Sequence, residues 1–254
     1  MPQIADYPLL VFVVSFAALW LAALLGAKLQ GKDRNVEQSV REDYGVILAA
    51  TLTLLGLIIG FSFSMAISRY DQRKNLEEEE ANAIGTAYVR ADLLPAADAA
   101  KVRTLLEAYL AQRIRFYTTR DADELREINA KTARLQTDLW TAVKGPAVAQ
   151  PTPVAALAVS GMNDVLNSQG YTQAAWWNRI PRAAWWLMGA IAICCNLLLG
   201  YGAHKPKVEG RFLLVLPVIV ALSFLLIADI DSPHGGVIRV NPQNLLSLAQ
   251  SLHP

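Results

Sequence analysis

Four long stretches without a charged residue set the strongest limit on the fold of this 254-residue chain. They cover residues 7–27, 44–68, 183–203 and 212–228. Each approaches the roughly 20 apolar residues that a helix needs to cross a hydrocarbon layer about 30 Å thick. Buried helices of a large soluble protein are the alternative, but a soluble core rarely needs several such runs. The pattern therefore predicts an all-α membrane protein with four transmembrane helices.

The charge content favours a membrane over a nucleic acid as the partner. Charged residues make up 18% of the chain, compared with about 25% in a typical soluble domain. The net charge is only +1, whereas a protein that binds nucleic acid usually presents a basic excess to the phosphates. We expect the lipid bilayer to be the main partner and no nucleic acid to bind.

A polar region with helical periodicity separates the second apolar stretch from the third. Apolar residues such as Val102, Leu106 and Tyr109 recur there at intervals of three and four, which is typical of amphipathic helices. Pro95 and the segment "KGPAVAQPTP" are expected to separate these helices. The predicted organisation is transmembrane helices 1 and 2 in residues 1–68, a helical extramembrane domain in 69–182, transmembrane helices 3 and 4 in 183–230 and a C-terminal tail in 231–254.

The second apolar stretch is expected to continue into the extramembrane domain as one long helix. Between Tyr70 and Leu94 only Gly85 weakens a helix, and a helix tolerates a single glycine. An unbroken helix from Tyr44 to about Leu94 would measure roughly 75 Å at about 1.5 Å per residue. A kink near Gly85 is the alternative.

No arrangement of residues in the sequence predicts catalysis. The three histidines, His204, His234 and His253, are too far apart for two of them to bind a metal from one helix face. The sequence has neither a phosphate-binding glycine loop nor a nucleophile elbow. We therefore expect no enzyme activity and no cofactor.

The second apolar stretch carries the residues of greatest functional interest. Small residues recur there at every fourth position, and such a stripe lets helices approach closely in lipid. The adjoining face combines a hydroxyl with large apolar side chains, and around a central axis it would form a narrow apolar constriction that gates ions by dewetting. Helix packing and a pore wall are both open at this point. The small stripe is Gly56, Gly60, Ser64 and Ser68, and the adjoining face is Thr53, Leu57 and Phe61.

Two motifs resemble the signature of the prokaryotic bestrophin-like domain family. The first is "GFSFSMAISRYDQRKNLEEEEANAIGTAYVRADLLP", and the second is "DIDSPHGGVIRV", which follows the fourth apolar stretch. More distantly, the chain resembles bestrophins, which are pentameric anion channels with a helical cytosolic domain. The pairs Gly60-Phe61 and Arg69-Tyr70 stand where that family has a Gly-Phe pair in its neck and an Arg-aromatic pair at the end of the span.

The resemblance implies a ring-shaped homo-pentamer in the bacterial inner membrane, with the helical domain in the cytoplasm. It also implies passive conduction of small inorganic anions such as chloride through a pore lined by the second transmembrane helix. The neck would comprise Thr53, Leu57 and Phe61, with Gly60 permitting close approach and Ser64 continuing the lining. Because a threonine replaces a branched aliphatic residue of the channel family, this neck would not be purely apolar. The alternatives are a non-conducting oligomeric scaffold or sensor and a cation-selective channel.

The resemblance also draws attention to Asp229 and Asp231, because animal bestrophins bind calcium with an acidic cluster just past the fourth span. Two carboxylates supply only part of the about six to eight oxygen ligands that calcium takes. The alternative is a polar helix end that leads into a turn, in which Gly235 and Gly236 adopt positive φ. An aspartate at this edge of the membrane would also suit an ion pair with an arginine such as Arg69.

The acidic run "EEEE" is expected to form a solvated face with one residue, Glu80, turned inward. Glu80 lies nearest the apolar side of its predicted helix and would pair with an arginine such as Arg90 or Arg113. In an oligomer, a ring of such carboxylates would instead favour cations.

Overall fold

The computed structural model describes residues 6–30, 38–203 and 212–252. Within these ranges it contains helices and turns and no strand, which confirms the prediction of an all-α protein. Two of the histidines considered above, His204 and His253, lie outside the described residues. The helices are α1 (Pro8–Gln30), α2 (Gln38–Arg90), α3 (Ala96–Thr118), α4 (Ala122–Ala149), α5 (Pro153–Trp177), α6 (Arg182–Tyr201), α7 (Val215–Asp231) and α8 (Gln243–Leu252), with short 3₁₀ turns at Ala91–Leu93 and Phe212–Leu214.

The longest element, α2, contains 53 residues, which corresponds to about 80 Å at about 1.5 Å per residue. It is helical through Gly85 and ends at Arg90, where the 3₁₀ turn begins. Leu94 then has extended backbone angles, φ −100° and ψ 160°. Such angles are expected because Pro95 disfavours the helical conformation of the residue before it.

Side-chain caps and prolines set the ends of the extramembrane helices. Asp121 begins α4 by accepting the backbone N–H groups of Asp123 and Glu124. Thr152 begins α5 in the same way, followed by Pro153 in the first turn. The predicted break at "KGPAVAQPTP" comes later than expected, because α4 continues through Pro146 to Ala149. Proline has no backbone N–H, so Pro146 removes one hydrogen bond from the helix. Because Pro146 lies close to the end of α4, this loss disturbs only the last turn.

Within the described residues, the helical segments Pro8–Leu29, Tyr44–Leu93 and Pro153–Tyr201 are long and apolar enough to cross a membrane. The last of these includes α6, the predicted third transmembrane helix. The predicted fourth corresponds to α7, which has 17 residues and is therefore somewhat shorter than the roughly 20 that a span needs. Four membrane crossings thus stay a prediction, supported by three candidate spans.

The chain divides into two compact units. The membrane unit comprises Met1–Ser68 and Arg179–Ile238, and the extramembrane unit comprises Arg69–Asn178 and Arg239–Pro254. The long helix α2 therefore contributes its first half to one unit and its second half to the other.

In the membrane unit, α1 packs along α6 and α7. The closest approach is between α1 and α6, where Gly26 faces the carbonyl oxygen of Leu197 and Gly200 faces that of Ala23. A Cβ atom at either glycine would overlap the facing oxygen, so these two helices touch backbone to backbone.

In the extramembrane unit, α3 and α4 form an antiparallel hairpin, α5 packs on α4, and α8 packs on α3. The centre of this unit is a continuous apolar core that includes Ile84, Leu106, Leu139, Met162 and Val165. The helices α3, α4 and α5 supply most of this core, which includes Val102, Leu106 and Tyr109 of the predicted periodic run.

Candidate pore helix

The membrane half of α2, residues 44–68, has one covered face and one uncovered face. Leu55, Ser62 and Ala66 are buried, and their spacing places them on one side of the helix. The predicted pore residues lie on the opposite side, where Leu57 is 54% exposed and Phe61 is 62% exposed. All members of this uncovered face are exposed in the single chain: Thr53, Leu57, Gly60, Phe61 and Ser64.

The Thr53 side chain is less polar toward its surroundings than its residue type suggests. Its hydroxyl donates to the carbonyl oxygen of Ala49, one turn earlier in α2, at 2.9 Å. The hydroxyl proton is thus bonded within its own helix and is not available to the surroundings. The uncovered face is therefore more apolar around Thr53 than the sequence indicated.

The stripe of small residues on α2 has no partner helix within the described part of the same chain. No atom lies within 4 Å of the position that a Cβ would take at Gly56 or Gly60. Ser64 and Ser68 are also exposed. Close packing at this stripe has no partner among the described residues and stays a prediction.

Beyond the membrane half, α2 carries a buried carboxylate at Glu80. This carboxylate accepts hydrogen bonds from the Arg113 guanidinium, from the Tyr117 hydroxyl at 3.2 Å and from the Thr172 hydroxyl at 3.4 Å. The side chains of Glu80 and Arg113 are both fully buried. Arg90, the other arginine considered for this pair, instead directs Nη1 to the Leu157 carbonyl oxygen at 3.4 Å.

The electrostatics of this cluster keep the Arg113 guanidinium charged and the phenols neutral. Burial alone would lower the pKa of Arg113, but the Glu80 carboxylate together with Tyr109 and Tyr117 outweighs burial and raises it. Burial and the same carboxylate raise the pKa of Tyr109 and Tyr117. The Arg113 guanidinium therefore stays positive and the two phenols stay neutral across the physiological pH range.

Glu77 is only 1% exposed. The sequence predicted that Glu80 alone in the acidic run is turned inward, so this prediction is wrong for Glu77. Its Oε1 atom accepts the backbone N–H of Leu245 at 2.9 Å, and its Oε2 atom accepts the Asn244 side-chain amide at 2.6 Å. A carboxylate at this position stabilises the N-terminal turn of α8. The sequence contained a signal for the burial of Glu77. Arg73, Glu77 and Glu80 are spaced by four and three residues, which places all three on one face of the helix.

The arginines near the start of the extramembrane unit differ in their surroundings. Arg73 is buried, and its Nε atom donates to the Ala175 carbonyl oxygen at 3.5 Å. In Arg69 the Nε and Nη1 atoms are enclosed and have no hydrogen-bond partner among the described residues.

The second motif forms a polar turn after α7. The two carboxylate oxygens of Asp229 accept the backbone N–H groups of Val237 and Ile238, each at 2.8 Å. A Cβ atom at Gly236 would overlap the Asp229 carbonyl oxygen, and one at Gly235 would overlap that of Asp6. No glycine in the described ranges has positive φ, so the expectation of positive φ at these two glycines is wrong. They are needed for space.

Asp231 contributes a different contact in the same region of the membrane unit. Both of its carboxylate oxygens lie 3.2 Å from the backbone nitrogen of Ile180, just before α6 begins. Arg179 forms an ion pair with Asp6 beside it. Across residues 6–30, 38–203 and 212–252, no three His, Cys, Asp or Glu side chains come together in a way that could hold a metal ion.

These observations define an all-helical membrane protein whose long second helix has an uncovered apolar face in its first half and buried polar contacts in its second half. The family model for the Bestrophin-like domain matches residues 10–245. The chain therefore belongs to the Bestrophin-like family, and the resemblance seen in the two motifs is confirmed.

Solved structures give the same fold. A crystal structure of a mutant bacterial bestrophin homolog from Klebsiella pneumoniae is 14% identical, with a TM-score of 0.64, and the match covers 94% of this chain and 97% of that one. Another crystal structure of the Klebsiella pneumoniae homolog is 14% identical with a TM-score of 0.60, covering 95% and 98% of the two chains. At this identity the likeness establishes the fold alone. A search of functionally curated proteins gave no match.

Proposed function

We propose that this chain is a bestrophin-like ion channel in which α2 helices from several copies line a central pore. The observation that carries the proposal is the uncovered apolar face of α2, on which Leu57 and Phe61 are more than half exposed. In the most apolar part of α2 only 11% of the residues are buried, compared with 22% in α1. A transmembrane helix so little covered by its own chain suits a position between copies around an axis.

The chemistry of this face suits a hydrophobic gate. Leu57 and Phe61 are one helical turn apart, and the Thr53 hydroxyl is bonded to its own helix. A ring of such side chains would form a narrow apolar neck that excludes water unless it widens. Gly60 would allow neighbouring helices to approach, and Ser64 would continue the lining.

The proposed assembly and location rest on the family resemblance. The proposed assembly is a homo-pentamer in the bacterial inner membrane, with four crossings in each chain and the helical domain in the cytoplasm. Its other partners are lipids and small inorganic ions. Passive conduction needs neither a cofactor nor enzymatic chemistry. Calcium binding at Asp229 would require the turn to open, because both carboxylate oxygens already accept backbone N–H groups.

Anions are the proposed permeant ions, as in the bestrophins that the chain resembles. The Glu80 carboxylate supplies no ring of free charge, since it is buried and paired with Arg113. A cation channel is the second candidate. The small-residue stripe of α2 ends at Ser68, and intervals of three and four residues lead from there to Asp71, Asn75 and Glu78, which are exposed. Carboxylates on this continuation would attract cations.

The first test is the number of subunits and the ion flux of the full chain. The proposal expects a pentamer in mild detergent and measurable flux after reconstitution into vesicles with chloride or sodium gradients. A monomer or dimer would contradict the ring pore. A pentamer without flux would instead support the non-conducting scaffold.

The second test compares two phenylalanines of α2. Phe61→Ala should raise the conductance, because it removes the largest side chain of the neck. Phe63→Ala is the matched control, because Phe63 lies on the other side of the helix and is only partly exposed. Equal effects of the two variants would contradict a neck at Phe61.

The third test separates the two ion selectivities. If Asp71 and Glu78 face the ion path, the double variant Asp71→Asn with Glu78→Gln should lower sodium flux relative to chloride flux. Glu79→Gln, an exposed neighbour on a different face, serves as the control. If chloride flux exceeds sodium flux in the unmodified protein, and the double variant does not change their ratio, the result supports the anion channel.

A further inference from the structure

The corner between α4 and α5 contains a pocket that the proposed channel does not use. Its volume is about 510 Å³, and small-molecule sites typically measure about 300–1,000 Å³. The pocket is open to solvent on one side, and it lies entirely within the extramembrane unit. Its lining includes Trp140, Lys144, Val148, Pro151, Thr152 and Val159.

The sequence of the corner explains why a pocket forms there. Trp140, Lys144 and Val148 follow one another at intervals of four in α4, so they share one face of that helix. Three residues then connect α4 to α5. Among them, Pro151 has a restricted φ, and the Thr152 side chain caps the start of α5. Because the connection is held in this way, a ligand would not have to order it on binding.

The lining of the pocket is mostly apolar. Trp140 is 37% exposed and Val148 is 69% exposed, so both leave apolar surface uncovered. A single apolar side chain at a protein surface is common, but several around one concave volume are typical of a ligand site. The pocket therefore fits the apolar body of a small molecule, such as an aromatic ring or a branched chain.

Lys144 gives the pocket its charge. It is the one charged residue of the lining, and it forms no ion pair in the part of the chain that the structure describes. The C-terminal end of α4 and the N-terminal end of α5 both border the pocket, and their dipoles have opposite signs there. The ammonium group therefore decides the charge, and an anionic head group is its complement.

We propose that this pocket binds a small amphipathic anion, namely an organic carboxylate with an aromatic or branched apolar body. The apolar body lies against Trp140 and Val148, and the carboxylate lies at the Lys144 ammonium group. The Thr152 hydroxyl can also donate to the carboxylate, because its oxygen accepts the Ala155 N–H and its proton is not used in that bond. Binding at this pocket is independent of the proposed conduction through α2.

Three fluorinated probes that share one ring test the charge preference. They are para-fluorophenylacetate, para-fluorophenethyl alcohol and para-fluorophenethylammonium. Fluorine NMR measures the affinity of each probe for the full-length protein in lipid nanodiscs, and nanodiscs without protein correct for partition into lipid. The acetate should bind about fivefold more tightly than the alcohol, as expected for one ion pair at a protein surface, and the ammonium should bind most weakly. No binding, equal affinities or tightest binding of the ammonium would overturn the proposal.

Variants of two lining residues assign the binding to this pocket. Lys144→Gln should lower the affinity for the acetate about fivefold and leave the affinity for the alcohol unchanged, which a merely structural role of the lysine would not do. Lys131→Gln is the matched control, because Lys131 is another exposed lysine of α4 and is paired with Glu127. Ala156→Trp should abolish binding of every probe by filling the pocket, with little change in the unfolding midpoint because Ala156 is exposed.

Two results of these experiments would contradict the site. Acetate binding that is unchanged in both Lys144→Gln and Ala156→Trp would place the probe elsewhere on the protein. Acetate binding by the separated chain and not by the assembled protein would show that a second copy covers the pocket. Either result would overturn the proposal without affecting the proposed channel.

Discussion

In the membrane half of α2, Gly56 and Gly60 have open space around them, whereas Gly85 in the extramembrane half lies against Leu248 of α8. The polar residues differ in the same way. The Thr53 hydroxyl bonds to its own helix, while Glu77 bonds to α8 and Glu80 to α3 and α5. The membrane half thus leaves its surface for partners outside the chain, and the extramembrane half is fixed by partners within it.

This difference separates two kinds of mutational effect. Substitutions on the uncovered face of α2 should alter conduction or assembly and leave the fold of a single chain nearly unchanged. Substitutions on the buried face of the extramembrane half should destabilise the fold first. The Glu80 and Glu77 variants test the second expectation, and the flux experiments on Phe61 test the first.

The largest effect is expected for Glu80→Ala. This change leaves the Arg113 guanidinium buried without its counter-charge, which should reduce the free energy of unfolding by about 3–5 kcal/mol. Thermal unfolding of the full-length protein in detergent measures the loss. Glu79→Ala is the matched control, because Glu79 is its exposed neighbour in the same acidic run. A similar loss in both variants would show that the pair does not hold the unit together.

A smaller loss, about 3 kcal/mol, is expected for Gly200→Ala, because a methyl group there overlaps the Ala23 carbonyl oxygen and forces α1 and α6 apart. Gly189→Ala in the same helix is the control. No atom lies within 4 Å of the Cβ position at Gly189, so alanine should be neutral or slightly stabilising there. Equal unfolding midpoints for the two variants would contradict a backbone contact between α1 and α6.

The sequence predicted the helices and several of the buried residues, because periodicity and the lack of charge are local properties. It indicated Glu80 as the inward residue of its run for this reason. It did not predict the contact at Gly26 and Gly200, since two isolated glycines far apart in the chain carry no spacing that relates them. The sequence did not predict the contact between α8 and Glu77 for the same reason. The spacing of Glu77 from Arg73 and Glu80 does indicate that Glu77 lies on the buried face of α2.

The face of α2 shows a different limit of sequence reasoning. Residues Thr53, Leu57 and Phe61 share one side of a helix in any structure, so their common exposure follows from spacing alone. What covers them depends on other chains or on lipid, and a single chain contains no trace of either. The orientation of the Thr53 hydroxyl also requires coordinates, because threonine in a helix has two accessible rotamers.

A loss of about 1.5 kcal/mol is expected for Glu77→Gln. Glutamine can still accept the Leu245 N–H, but it loses the negative charge at the start of α8 and its amide cannot accept from Asn244. Hydrogen exchange in α8 should become faster while exchange in α4 stays unchanged. Glu79→Gln provides the control for loss of charge on the same helix. Unchanged exchange in α8 would show that its docking depends on apolar contacts such as Leu248 on Gly85.

The smallest effect is expected at the exposed start of α4, where the pKa of Glu124 is lowered by the Thr119 hydroxyl and then by the Arg115 guanidinium. Because the folded-state pKa lies below the ordinary value, this carboxylate stabilises the fold at neutral pH. The contribution is lost as the pH falls from about 4.5 through the folded-state pKa. Thr119→Val removes the first donor, so it should lower the unfolding midpoint at pH 7 and have a smaller effect at low pH.

Thr118→Val is the control that separates this electrostatic effect from a change in packing. The Thr118 hydroxyl donates to the Ile114 carbonyl oxygen within α3 and does not contact Glu124. The difference between this variant and the unmodified protein should therefore be independent of pH, whereas the difference for Thr119→Val should shrink on acidification. Parallel pH profiles for the two variants would mean that the Thr119 hydroxyl acts through packing and not through the charge of Glu124. The same buffer series at high salt should weaken the Arg115 contribution, because both partners of that ion pair are partly exposed.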